Sequence, residues 1–160
     1  MCDPTAGQES ADALAKRIGD WIVKSPFAAQ FGIQCMEARA EGYAKCVMTV
    51  HAGLLNSVGI THGGALFSFA DTTFGIACNA ANITAVSHSV HIIMSAPTVA
   101  GDRLICEAVE QDGKGRTRSY RVTVTKEADG TPVAFFTGVA VRRKDRVTEW
   151  LDQHHLGEDD

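Results

Sequence analysis

The chain has no apolar run long enough to cross a bilayer: Gly63 to Ala70 comes closest, and Asp71 ends it. A spanning helix needs roughly 18 or more such residues. It also has no leader pattern, because Met1 to Ser10 carries Asp3 and Glu9 and no apolar stretch. Positive charge is not in excess, with 15 Lys+Arg against 19 Asp+Glu and a formal charge of −4. That argues against nucleic acid as the main partner, since phosphate-binding surfaces are strongly basic. The five cysteines (Cys2, Cys35, Cys46, Cys78, Cys106) are an odd number without a C-x-x-C pair. This usage fits reduced thiols in a cytoplasmic protein rather than a disulfide frame or a zinc site, so no metal or cofactor is expected. Repeats and low-complexity linkers are absent, and 160 residues suit one domain with a proper core.

What is present reads as helix, two strands, a long apolar helix, then four strands. Residues 9–24 place Ala13, Leu14, Ile18, Trp21 and Ile22 at helical spacing. Ser25-Pro26 is expected to open a short turn that Gly32 closes. Trp21 and Phe27 read as packing residues. Ile33–Ala40 and Tyr43–Val50 predict two strands about a turn at Glu41-Gly42. Four strand-like runs follow at about Ala85–Ser95, Arg103–Gln111, Arg116–Lys126 and Pro132–Arg143. Residues 144–160 read as a polar tail with one helical turn, and His154-His155 as exposed. Consecutive strands joined by short turns, with one buried helix, give an α+β layer with a curved antiparallel sheet around that helix.

The central segment is the unusual one. Of the twenty residues from His62 to Ala81, Asp71 is the only Asp, Glu, Lys or Arg. A helix apolar on nearly every side is buried, and an unpaired carboxylate there is costly. For an arbitrary buried aspartate the plain reading is structural, as a cap or backbone acceptor. Here its neighbours at helical spacing, Gly64, Phe67, Ser68, Phe74, Gly75 and Cys78, include small residues that allow close approach. Leu66, Phe69, Ala70, Thr73, Ile76 and Ala77 form the opposite face, suited to packing. Cys78 reads as a small buried apolar residue. Asn56, Gly59, His62, Gly63 and Gly64 lead into the helix, so free N–H groups point from a partially positive end toward any oxyanion. Gly63 and Asp71 are eight residues apart, roughly 12 Å along a helix. One carbonyl touches both only if a second copy of the helix lies antiparallel across a two-fold axis. The protein is therefore expected to be at least a dimer.

The stretch Asn56-x-x-Gly59-x-x-His62-Gly63-Gly64-Ala65-Leu66-Phe67-Ser68-Phe69-Ala70-Asp71 resembles the hot-dog-fold acyl-CoA thioesterases. Within them it is most similar to the phenylacetic-acid-degradation group, the PaaI type. The likeness runs through Phe74 to Asn79, Ala96-Pro97 and Gly101-Asp102, over about residues 25–143. It implies a hot-dog fold assembled as a dimer of dimers and hydrolysis of aryl or medium-chain acyl-CoA, (hydroxy)phenylacetyl-CoA in particular. It further implies that Asn56 and the Gly63 N–H hold the thioester carbonyl, and that Asp71 of the facing subunit activates water or attacks directly. Ser87 matches the position that assists the carboxylate, and His62 shapes the loop. Gly64, Phe67 and Ser68 would border the substrate. Ser89 and His91 depart from the family pattern at the acyl lining.

Nine of the 15 Lys+Arg fall between Lys114 and Arg146. Most read as a solvated strand face, with Lys114 and Arg116 as candidates for the CoA phosphates. Gly113-Lys114-Gly115 is no phosphate loop, since the rest of that motif is missing. Ser68 lacks a nucleophile-elbow pattern. His88 and His91, three apart on a strand, are expected on opposite faces, which disfavours a metal pair. A hydratase or dehydratase on the same fold, or a non-catalytic acyl-CoA-binding module, are the alternatives.

Overall fold

A computed structural model describes residues 9–153; His154, His155 and Cys2 lie outside them. Helix α1 (Ala11–Val23) starts at Ser10, whose hydroxyl accepts the Ala13 N–H at 3.1 Å, and it buries Ala15, Ile18 and Gly19. Gly19 lets the helix sit directly on the first strand, because a Cβ there would overlap Cys35 Sγ. The turn after α1 differs in detail from expectation. It is a 3-10 turn at Ala28–Phe31 with no side-chain cap, closed by Gly32 at φ +64°. Phe27 is 60% exposed and leans on Phe31 instead of packing on the sheet.

Strands β1 (Gln34–Arg39) and β2 (Tyr43–Thr49) flank Gly42, whose φ of +88° suits glycine. Helix α2 (Gly63–Asn79) follows, then β3 (Ala85–Met94), β4 (Arg103–Lys114), β5 (Thr117–Lys126) and β6 (Pro132–Arg142). The six strands form one antiparallel sheet in the order β1-β2-β4-β5-β6-β3. Residue order alone does not reveal that β3 pairs with β6 and not with its successor β4. The connection through residues 95–102 is tied to the end of β2, where the Gly101 N–H bonds Val50 O at 2.8 Å and the Val50 N–H bonds Asp102 O at 2.9 Å. That carries the chain across the sheet and leaves β3 as an edge.

The sheet curves around α2. Phe69, Phe74 and Ile76 are essentially fully buried, as are Val122, Val124, Phe136 and Tyr120 from the strands. Phe74 sits edge-on to Tyr120 at 5.3 Å and against Phe136 at 5.5 Å. Phe74 and Cys78 therefore belong to the core and not to the Asp71 face, which is narrower than the sequence suggested. The polar tail contains helix α3 (Val147–Leu151), which buries Val147 and Leu151 against Ile18 of α1. Thr148 N–H bonds Asn82 Oδ1 at 3.0 Å and anchors it beside the end of α2.

Gly138 on β6 makes room for the Phe74 ring: a Cβ there would stand 2.7 Å from Phe74 Cζ. Gly138→Ala should destabilise the fold by about 1–3 kcal/mol through overpacking, read as a lower midpoint in denaturant unfolding; an unchanged midpoint would mean that the ring moves freely.

Candidate active site

Between Leu55 and Thr61, which form an isolated bridge, the chain makes a tight loop. Gly59 takes φ +83° there. The Asn56 side-chain oxygen accepts the N–H groups of Val58 at 3.0 Å and Ile60 at 3.3 Å. With that oxygen engaged, the orientation of the carboxamide is set and its NH2 is left to donate elsewhere. The loop is pinned to the segment after β3 by a buried pair, Thr98 Oγ1 donating to Thr61 Oγ1 at 2.6 Å. This Thr61–Thr98 lock was not anticipated from sequence; two threonines 37 positions apart carry no local signal.

His62 caps α2. Its Nδ1 accepts the Gly64 N–H at 2.8 Å, and its carbonyl takes the Ala65 N–H at 2.9 Å. The ring thus serves the helix end rather than Asn56. It leaves the Gly63 N–H with no partner among the described residues. The double glycine has a steric reason. A Cβ at Gly63 would lie 3.0 Å from Met94 Cε and Sδ, and one at Gly64 3.0 Å from His62 Nδ1. Asn56 and Gly63 border one open pocket of about 480 Å³, together with Leu66, Met94, Pro97 and Thr98. Two donors without a partner among the described residues, at the positive end of a helix, have the geometry and polarity that suit a negatively charged oxygen.

Asp71 lies two turns further on and does not line that pocket. It is half-buried, no hydrogen bond or ion pair within the described residues holds it, and burial raises its carboxyl pKa above the ordinary value. Such a carboxylate is basic and free to take a proton. Ser68, one turn before it, donates to Gly64 O at 2.8 Å. Phe67 leans toward the sheet, 5.9 Å from Phe136. On β3 a bulge between Ser87 and Ser89 shifts the alternation. Ala85, Val90 and Ile92 pack on the core, so the bulge keeps Ser87 on the helix-facing side, exposed at the sheet edge.

Other expectations separate from this site. Ser89 and His91 line an outer-face pocket of about 360 Å³ with Arg121 and Thr137, away from α2. The bulge also removes the simple parity that put His88 and His91 on opposite faces. Lys114 and Arg116 are exposed at the β4–β5 hairpin. That hairpin lies near the start of β3 and the end of α2, since Thr117 pairs with Val141 and Ala85 with Arg142. It is the opposite end of the helix from Gly63. Within one chain these cations therefore stand at the far end of α2 from the Gly63 donors.

Sequence comparison gives this arrangement a family. Residues 58–133 match the thioesterase superfamily. The Escherichia coli K12 acyl-coenzyme A thioesterase PaaI is 39% identical over 109 residues, covering 68% of this chain and 76% of that protein. The chain belongs to the thioesterase superfamily. The structure of the E. coli PaaI protein, from the phenylacetic acid degradation operon, superposes on this thioesterase with a TM-score of 0.79 at 31% identity, over 86% of this chain and 99% of that one. A mutant of the phenylacetic acid degradation protein PaaI from Thermus thermophilus gives 0.70 at 35% identity, over 74% and 100%. The curved sheet around one helix is thus the hot-dog fold of a PaaI-type thioester hydrolase.

The raised pKa of Asp71 has a definite sign for stability. The folded thioesterase holds this proton more tightly than the unfolded chain, so ionisation on raising the pH from the ordinary carboxylate range through the raised value costs stability. Asp71→Asn should therefore melt at a higher temperature than the parent at pH 7, and the gap should close in acid below the ordinary carboxylate pKa. Thermal unfolding across that range checks it; a variant less stable at neutral pH would show that the carboxylate is structural.

Proposed function

We propose that the enzyme hydrolyses acyl-CoA thioesters to free acid and CoA, with phenylacetyl and hydroxyphenylacetyl groups as its acyl class. The observation that carries this reading is the combination of uncommitted donors at the start of α2, from Gly63 and from Asn56 in the loop before it, with a basic carboxylate at Asp71 on the same helix that has no partner among the described residues. The E. coli relative, an acyl-coenzyme A thioesterase, supports the CoA ester as substrate.

In this reading Asn56 Nδ2 and the Gly63 N–H of one subunit hold the thioester oxygen. Asp71 of the facing subunit takes a proton from water as the water oxygen bonds to the carbonyl carbon. The oxyanion then collapses, the C–S bond breaks, and the Asp71 proton passes to the departing thiolate. Direct attack by Asp71 would give a mixed anhydride that water cleaves; transfer of oxygen-18 from solvent into the aspartate in a single turnover separates the two. Ser87 assists the carboxylate from the neighbouring strand. His62 acts by keeping the helix end open, and Gly64, Phe67 and Ser68 border the substrate. Arg116 and Lys114 meet the CoA phosphates across the subunit boundary.

A shared site requires at least a dimer, with a dimer of dimers as the full assembly. The edge strand β3 supports this, because it presents an unpaired ladder and exposes Val86, Ile93 and Met94, a surface that soluble proteins normally cover. The hydratase alternative calls for a free histidine beside the acid, whereas the His62 ring is engaged at Gly64.

Thiol release from a panel of CoA esters tests the proposal. Asp71→Asn should lose about 10²-fold or more in turnover, and Asn56→Ala about 10²–10³-fold. Absence of turnover on every aromatic and medium-chain ester would defeat it. Mixing Asn56→Ala and Asp71→Ala chains, each inactive alone, should recover about a quarter of the parent rate in randomly paired dimers. No recovery would mean that Asn56 and Asp71 act together from the same chain and that the site is not shared.

A further inference from the structure

One turn beyond Asp71, the same face of α2 opens into a second pocket of about 380 Å³. Its floor is Gly75 and Asn79 of α2, and its walls are Trp21 of α1, Val147 and Trp150 of α3, and Thr84 of the loop before β3. Gly75 leaves the space open, since a Cβ there would meet nothing within 4 Å. The lining is nearly all apolar in effect. Asn79 is fully engaged, donating to Gly75 O at 2.8 Å and to Ala85 O at 3.3 Å and accepting the Ala85 N–H at 2.9 Å. Thr84 is the exception: its backbone is bonded on both sides, yet its buried Oγ1 has no hydrogen-bond partner among the described residues. A buried hydroxyl left unmatched is costly unless something completes it.

We propose that this slot between the three helices is the acyl subsite, with the aromatic ring lying between Trp21 and Trp150 over Gly75 and Thr84 Oγ1 bonding a ring hydroxyl. The inference rests on thioester hydrolysis at Asp71 as proposed above and adds the residues that select the acyl group. Position supports it. Gly75 lies about 6 Å beyond Asp71 along the helix, about the reach of one methylene and a phenolic ring when the carbonyl sits at the carboxylate. Indole faces suit a ring by offset or edge contact. Helix α3, a C-terminal element beyond the superfamily match, is what closes the wall.

The chain's two tryptophans both line the pocket, so intrinsic fluorescence reads its occupancy directly. Titration of the wild-type enzyme with free 4-hydroxyphenylacetate should give a saturable fluorescence change that Gly75→Leu abolishes. With CoA esters, Gly75→Leu should lose about tenfold or more in kcat/KM on phenylacetyl-CoA while acetyl-CoA hydrolysis stays within about threefold, as expected for a blocked acyl pocket. Thr84→Val should keep its rate on phenylacetyl-CoA and lose the preference for 4-hydroxyphenylacetyl-CoA over it. Equal losses on acetyl and aryl esters, an unchanged hydroxyl preference in Thr84→Val, or a fluorescence response absent from the wild type or retained in Gly75→Leu would each overturn the assignment. Should the wild type turn over no thioester, the hydrolytic reading falls, and the fluorescence titration still decides whether the slot binds the ring.

Discussion

A carboxylate with no partner of its own, set on a helix that a sheet wraps on most sides, is the constraint from which the rest follows. Apolar packing holds Asp71 in place: Phe74 and Cys78 on one flank are buried against Tyr120 and Phe136, and Ile76 on the other packs beneath α1 at Gly19. The protein thereby keeps a half-buried carboxyl group with no hydrogen-bond or ion-pair partner among the described residues. Burial makes the group a better base at the expense of stability.

The helix start is built with the same economy. His62 satisfies the second N–H and leaves the first, at Gly63, uncommitted. Asn56 spends its oxygen on its own loop, which frees its amide protons to face outward. The Thr61–Thr98 pair then fixes that loop to the strand end that also carries Met94 against Gly63. Polar groups that a core would normally saturate are thus left open in one direction only. About 12 Å of helix separates these donors from Asp71, so in the proposed mechanism the donors and the carboxylate meet only across a subunit boundary.

Much of this was legible from residue order because the signals are local. A single acid in twenty residues, glycines at the helix start and the alternation of Val122 and Val124 with Arg121 and Thr123 each declare an element within a few positions. The Asp71 face was drawn too wide, since helical spacing places Phe74 and Cys78 beside Asp71 but does not tell which flank the sheet covers. The bulge at Ser87/Ser89 likewise has no mark in a strand of mixed polarity. The helical turn in the polar tail is legible, but not its docking, in which Val147 and Leu151 meet Ile18 more than 120 residues away.

Residue order alone determined the elements, the isolated acid and the uncommitted glycine end, since each depends on periodicity and on backbone freedom within one segment. Tertiary structure decided the rest. It sent β3 to the far edge of the sheet, enclosed a slot between α1, α2 and α3, and put the cationic hairpin at the opposite end of the helix from Gly63. Those outcomes depend on which apolar surfaces meet across long stretches of chain, and no local pattern encodes a contact between two surfaces that have yet to meet.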